Sequence, residues 1–268
     1  MIFVHDKGRM ANNMLQYGHL YAWGREHGRP TMSMRFAYKY PWFHIGDTRH
    51  HNFLTYVLAK YAAKWRLIPT VRFDDAGADC SRQEQVMLSR RLVVATGWEA
   101  RWYDLFLKYK EEIIALFAFH DDIEHHVARL TADDSLKLGV HIRRGDYATF
   151  YDGRFMYTDE QFVAIIRQFL DLHPGAKTTV YVCGNDPKLN RDFFVSQLPQ
   201  ARVVFPDGNP AQDLCLFSHC DYLMGAPSTF TLAAAMYRDV PLYWIEEAAR
   251  PLTEASFKHF DYLFRHIY

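Results

Sequence analysis

Apolar and polar positions alternate along the second half of the chain with a regularity that the first half lacks. Short apolar runs at 136–143, 178–184, 201–205, 221–226 and 240–244 are separated by helical patterns at 159–173, 187–198, 210–220 and 229–239. Strands of this length with helices between them predict repeated βα units, hence a parallel sheet covered by helices on both faces. The first half opens with a strand at 2–4, a turn at 5–13 and a helix at 14–28. From Asn52 to Arg129 its pattern is dominated by amphipathic packing helices, among them 52–65 and 101–119. The predicted class is α/β, with a helix-rich half over 1–134 and a Rossmann-like half over 135–268. The boundary falls in "LTADDS", 130–135. Two such halves are expected to face each other across a cleft, with ligands beyond the carboxyl ends of the strands.

Composition narrows this picture modestly. The 268 residues are 49% hydrophobic, enough for one large domain or two ordinary ones. Lys and Arg number 31 against 31 Asp and Glu, and the pI is near 7.2, which argues against a nucleic-acid binder but leaves room for a local basic pocket. The 16% aromatic content suits a filled core first and sugar stacking second. Four cysteines without a CxxC pair, and no N-x-S/T site, make a reduced, cytosolic pattern. The start "MIFVHDKG" reads as neither signal peptide nor membrane span, and no apolar run is long enough to cross a bilayer. Membrane contact, if any, would be peripheral, at the inner face of the plasma membrane.

Charge is concentrated in "GVHIRRGDY", 139–147. Side chains alternate along a strand, so Leu138, Val140 and Ile142 share one face while His141 and Arg143 share the other. That puts polar groups at the carboxyl end. Arginine offers a planar fork of donors suited to phosphate oxygens, Gly145 permits a sharp turn, and Asp146 can hold an arginine in place. The same residues would also make an ordinary surface ion pair. In "GAPSTFTLAAA", 225–235, Ser228 and Thr229 precede a helical run, an N-cap signature whose free N–H groups favour an anion. In "KGRMANNM", 7–14, Asn12 and Asn13 can cap the first helix and Gly8 allows close backbone approach. The chain contains no GxGxxG, P-loop, GxSxG or HExxH, and no D-x-D pair for holding a metal on a nucleotide sugar.

These stretches carry a resemblance. "GVHIRRGDY" matches the HxRRxD motif shared by α-1,2-, α-1,6- and protein O-fucosyltransferases, and resembles the HIRRGDY form of the α-1,2 family. "GRMANN" resembles the N-terminal loop of that superfamily, written G-[GR]-x-G-N-Q, and "QDLCLFSHCDYLMGAPSTFTLAAAM" resembles its third block. The blocks stand in family order across essentially the whole chain. Ala11, Asn13, Pro227 and Leu232 depart from the pattern, which bears on acceptor choice more than donor choice.

The resemblance implies a GT-B-like fold, GDP-fucose as donor substrate, no cofactor, no metal, and inverting transfer to a sugar hydroxyl of a glycan acceptor, α-1,2 to galactose, as in polysaccharide biosynthesis. It implies that Arg143 binds the diphosphate, with His141, Arg144 and Asp146 shaping the pocket. Asp213 would accept from guanine, and Ser228, Thr229 and Phe230 would surround the diphosphate. Asn12, with Arg9 beside it, would reach across the cleft. The general base stays open among Asp152, His5, Asp6 and His44. A GDP-sugar-binding module without turnover is the alternative, and a phosphate-ester hydrolase a third. "HDDIEHH", 120–126, reads as a solvated helix face, Cys215 and Cys220 as small core residues, and Trp42, Trp98 and Trp102 as core or acceptor-pocket aromatics.

Overall fold

A computed structural model describes residues 1–5, 7–77 and 79–267. The chain divides into two compact units, Met1–His120 and Asp121–Tyr268. The segment 130–135 therefore lies inside the second unit. Helix Asp121–Leu130 goes with that unit because Glu124 bonds His219 and Tyr181 Oη donates to the Leu130 carbonyl, at 3.0 and 2.8 Å.

The first unit holds a four-stranded parallel sheet: β1 (Ile2–His5), β2 (Thr31–Ser33), β3 (Thr70–Arg72) and β4 (Val93–Thr96), in the order β2-β1-β4-β3. Three of these strands interrupt or precede the region whose pattern reads as helical. Each is only three or four residues long, too short for periodicity to separate strand from helix. Val93–Thr96 is buried at every position, so it lacks alternation as well. Phe3, Met32 and Val94 pack with Ala59 of helix Phe53–Lys64 as one apolar cluster.

The second unit follows its pattern closely. Five parallel strands, β5 (Leu136–Ile142), β6 (Thr178–Gly184), β7 (Ala201–Val204), β8 (Tyr222–Gly225) and β9 (Leu242–Trp244), lie in the order β7-β6-β5-β8-β9. Leu138, Val140 and Ile142 are fully buried in the cluster that includes Val163 and Ile166 of helix Asp159–Leu172. Gly139, on the opposite face, lies against Phe217 and Leu223, so β5 is covered from both sides. Capping boxes at Thr158/Gln161 and Asn209/Gln212 start two of the helices, the second with proline at its first turn. From β5 the chain winds first to β6 and β7, then returns to β8 and β9. The winding reverses between β5 and β8, where open α/β sheets leave a ligand crevice.

Three histidines are buried in forms that resist protonation. His19 is held well below its ordinary 6.5, His51 near 4 and His141 near 3, in each case chiefly by burial. His51 accepts from the Ser33 N–H through Nε2, and His19 from the Trp102 N–H through Nδ1, at 2.9 and 3.1 Å. Unfolding frees these imidazoles to take up protons near 6.5, so their contribution to stability is complete above that pH and is lost as pH falls. Each costs about 1.4 kcal/mol per pH unit until its folded value is reached. Asp213, pushed up to about 6, opposes this over a smaller range. Melting followed by circular dichroism should give a flat Tm from pH 7 to 8 and a marked drop from 6.5 to 5. A constant Tm down to pH 5 would mean that these rings are not desolvated.

Candidate active site

Parallel pairing sets Cys183, His141, Gly225 and Trp244 in one row across β6, β5, β8 and β9. The candidate site is built along this row, at the carboxyl rim. Arg143 follows directly after β5. Its Nη2 and Nε donate to the Asp146 carboxylate at 2.7 and 3.3 Å, its Nη1 lies 3.5 Å from Ser228 Oγ, and its guanidinium sits over the Tyr147 ring at 4.7 Å. Gly145, at φ +47°, turns the chain back so that Asp146 can reach Arg143. Tyr147 is anchored in turn by its hydroxyl, which donates to the Pro227 carbonyl. Asp146, Tyr147 and Ser228 thus fix one guanidinium from three sides.

Ser228 caps helix Thr229–Arg238, accepting from the Phe230 N–H at 3.1 Å. The first turn of that helix opens on the same rim, so backbone amides and Arg143 present positive potential together. Phe230 stacks on His141 with ring centroids 4.9 Å apart. His141 is buried, and burial with Arg143 beside it keeps the ring neutral, so it can bond a ligand but brings no charge. Its Nδ1 has no hydrogen-bond partner among the described residues.

Asp213, in the first turn of helix Pro210–Ser218, bonds Cys183, the β6 residue paired with His141. Burial raises its carboxyl to about 6, although a bond from the Cys183 thiol works in the opposite direction. Its Oδ1 is buried with no partner among the described residues. A desolvated, unsatisfied acceptor costs stability unless something donates to it.

Arg144 is differently placed. Nη1 and Nη2 bond Asp186 and Asp159 at 3.0 and 2.5 Å, and Nε donates to the Tyr157 carbonyl at 3.0 Å. These contacts tie the loop after β5 to the loop after β6 and to helix Asp159–Leu172, so Arg144 positions the rim. Asp152 is exposed in a turn where it, Tyr151 and Gly153 all adopt positive φ. Two consecutive non-glycine residues in that region store strain beside the site. Tyr151 also lines a cavity of about 910 Å³ with Tyr243, Trp244, Arg250 and Lys258, next along the rim from β8 to β9.

In the first unit, helix Met10–Glu26 begins earlier than its pattern predicts, with Arg9 at the N-cap. Asn12 and Asn13 are therefore not caps. Asn12 lies in the first turn beneath Gly8, whose φ of +90° strains any residue with a side chain, and a Cβ there would fall 2.6 Å from Asn12 Nδ2. Asn13 is buried and donates to Tyr40 Oη at 3.2 Å. Gln16, which carried no signal in the sequence, secures the turn by exchanging two hydrogen bonds with the Lys7 backbone, at 3.1 and 2.6 Å. Of the candidate bases, His5 is shifted below its ordinary pKa by partial desolvation and by Arg35, His44 bonds Asp47 at 2.9 Å, and Asp6 lies outside the described residues.

The "HDDIEHH" stretch is split by the fold. His120 stands with His44 and Asp47, and Glu124 with Cys215 and His219, each trio having ligand-type atoms within 4.8 Å. The first trio belongs to the first unit, and the second joins helix Asp121–Leu130 to helix Pro210–Ser218 and its C-cap. Trp102 packs against Trp23 and Phe73 and donates to Glu84 at 2.8 Å.

No family model matches the chain. Solved structures do. Arabidopsis thaliana FUT1 with GDP superposes with a TM-score of 0.66 at 11% identity, covering 96% of this chain and 73% of that one. POFUT1 with GDP-fucose gives 0.61 at 11% identity over 89% and 94%, and the NodZ α-1,6-fucosyltransferase soaked with GDP-fucose gives 0.55 at 12% over 96% and 97%. The fold is that of the GT-B-like fucosyltransferases. In sequence the chain is similar, weakly but consistently, to galactoside α-(1,2)-fucosyltransferase 2. It is 24% identical to the Oryctolagus cuniculus enzyme over 257 residues and to the Sus scrofa enzyme over 258. These alignments cover 87% of this chain but 65% and 68% of the curated proteins, so the chain spans about two thirds of their length.

Proposed function

We propose that the protein is a fucosyltransferase that moves fucose from GDP-fucose to a sugar hydroxyl of a glycan acceptor, α-1,2 to galactose, with inversion and without a metal ion. The observation that carries this reading is that the strand position of His141 is flanked by a diphosphate-type cradle at Arg143 and Ser228 and by Cys183, which bonds a buried carboxylate with one unsatisfied oxygen among the described residues. Arg143 and the amides at Thr229 suit the diphosphate. Asp213 Oδ1 suits the adjacent N1–H and amino donors of guanine. Relatives in fold bind GDP or GDP-fucose, which supports the same class of partner here.

Transfer breaks the bond between the fucose anomeric carbon and the β-phosphate oxygen as the acceptor oxygen attacks from the opposite face. Negative charge grows on the departing diphosphate, so donors already aimed at it assist the transition state without reorganising. Arg143 is such a donor because Asp146 and the Tyr147 ring hold it. Neutral His141 would add a hydrogen bond through its free nitrogen. On their motif resemblance Arg9 and Asn12 would bind donor, and Asp152, exposed in its strained turn, would take the acceptor proton. The reduced cysteine pattern fits a cytoplasmic enzyme.

Incubation with GDP-fucose and galactose-terminated acceptors should release GDP only when acceptor is present. Excess EDTA should change that rate less than twofold, since protein cations compensate the leaving charge. Binding of GDP without any turnover would favour a GDP-sugar-binding module. Inorganic phosphate as the product would mean a hydrolase. Activity abolished by chelator and restored by Mg²⁺ or Mn²⁺ would refute the metal-free mechanism.

A further inference from the structure

Helix Phe53–Lys64 is amphipathic in the wrong sense for water. It turns Tyr56, Ala59 and Ala63 toward the core of the first unit, while Leu54, Leu58, Tyr61 and Trp65 form an outward stripe at spacings of four, three and four. Their exposures are 68%, 62%, 40% and 65%, values ordinary for lysine and unusual for large apolar side chains. Phe53 and Leu67 extend the stripe at its two ends, at 63% and 72% exposed. The most exposed large apolar side chains among the described residues thus lie within fifteen consecutive positions, which is a patch and not scatter.

Backbone geometry holds the far end of the patch outward. Leu67 N–H donates to Ala62 and Arg66 N–H to Ala63, at 2.9 and 3.0 Å, the two bonds of a Schellman motif. The left-handed position of that motif, normally glycine, is Arg66 at φ +58°. The chain accepts this strain and sets Arg66 between two exposed apolar residues.

Charge identifies the occupant. Between Asp47 and Asp74 there is no acidic residue, but there are five cations: Arg49, Lys60, Lys64, Arg66 and Arg72. The whole chain is neutral, so a local charge of five is a strong asymmetry. Lys60 and Lys64 extend their ammonium groups over the Tyr61 ring, each at 6.0 Å. Apolar and aromatic side chains set among lysine and arginine, with no carboxylate, suit a surface that offers both hydrocarbon and negative charge.

We infer that this helix docks the protein in the plane of an anionic lipid bilayer, burying the Leu54–Trp65 stripe at the acyl boundary while the flanking cations meet lipid phosphates. No described helix is long and apolar enough to cross a membrane, so this contact would lie on the surface. The inference is independent of the chemistry proposed for the second unit.

Sedimentation with vesicles tests it. The protein should bind vesicles containing phosphatidylglycerol, bind pure phosphatidylcholine vesicles poorly, and be released as salt is raised. Leu58→Glu with Trp65→Glu should weaken binding at least tenfold with Tm unchanged, because both residues are already solvated. Lys60→Gln with Lys64→Gln should weaken it about 30-fold. GDP binding should be unaffected in all variants, since none alters a residue of the unit that carries β5 and β8. Failure to bind anionic vesicles, or binding indifferent to both double variants, would overturn the inference. Concentration-dependent dimers that Leu58→Glu disperses, without vesicle binding, would assign the stripe to a second copy of the chain instead.

Discussion

Arg143→Ala should reduce GDP-fucose turnover by tens to thousands of fold while leaving the melting temperature within a few degrees of the parent. The loss corresponds to about 2–5 kcal/mol for a charged hydrogen bond to a diphosphate that strengthens as the leaving group departs. The fold should tolerate the change because the partner left behind, Asp146, is 44% exposed and can be hydrated. Arg143→Lys should recover only part of the rate. A lysine restores the charge, but it cannot fork between two oxygens or stack on Tyr147 as the guanidinium does. Steady-state kinetics with circular dichroism as the folding control decides the matter. An alanine variant that is folded and fully active would remove Arg143 from the mechanism.

GDP should bind at least tenfold more tightly than UDP or ADP, and Asp213→Asn should compress that preference. A carboxylate accepts from both guanine donors, whereas an asparagine turns one acceptor into a donor that opposes them. The raised carboxyl adds a pH signature. Guanine binds the ionised form, and the free protein takes up a proton near pH 6. GDP affinity should therefore be level above pH 7 and fall, approaching tenfold per unit, below 6. Asp213→Asn should lack this dependence and should melt higher at pH 8, because a buried charge whose Oδ1 has no partner among the described residues has been removed. Calorimetric titration at pH 5.5 and 7.5 measures both effects. Equal affinity of the parent for GDP and UDP would refute the guanine assignment.

The two halves were unequally legible. In the second, strands of three to seven residues alternate with capped helices, and the apolar period changes at each boundary. The order of elements and the rim carrying Arg143 and Ser228 could be read from that pattern. In the first, β2, β3 and β4 have three or four residues each, and their pairing comes from partners distant in sequence. Local periodicity cannot report such pairing. The start of helix Met10–Glu26 was obscured for a related reason: Asn12 and Asn13 have cap chemistry, but Gln16 secures the turn from one helical turn further on.

By itself the sequence determined the α/β class, the parallel sheet of the second unit, the cap at Ser228 and the motif residues grouped after β5. These depend on spacing and side-chain type within a few positions. Only the tertiary structure decided which charges are free to act. Arg143 and Arg144 are neighbours of one chemistry, yet one faces Ser228 and the other is enclosed by Asp159, Asp186 and Tyr157, from loops brought together by the sheet. Asp213 looks like any carboxylate in a helix's first turn until burial beside Cys183 raises its pKa and leaves Oδ1 without a donor among the described residues. Burial and partnership depend on segments far apart in the chain, and no local pattern encodes them.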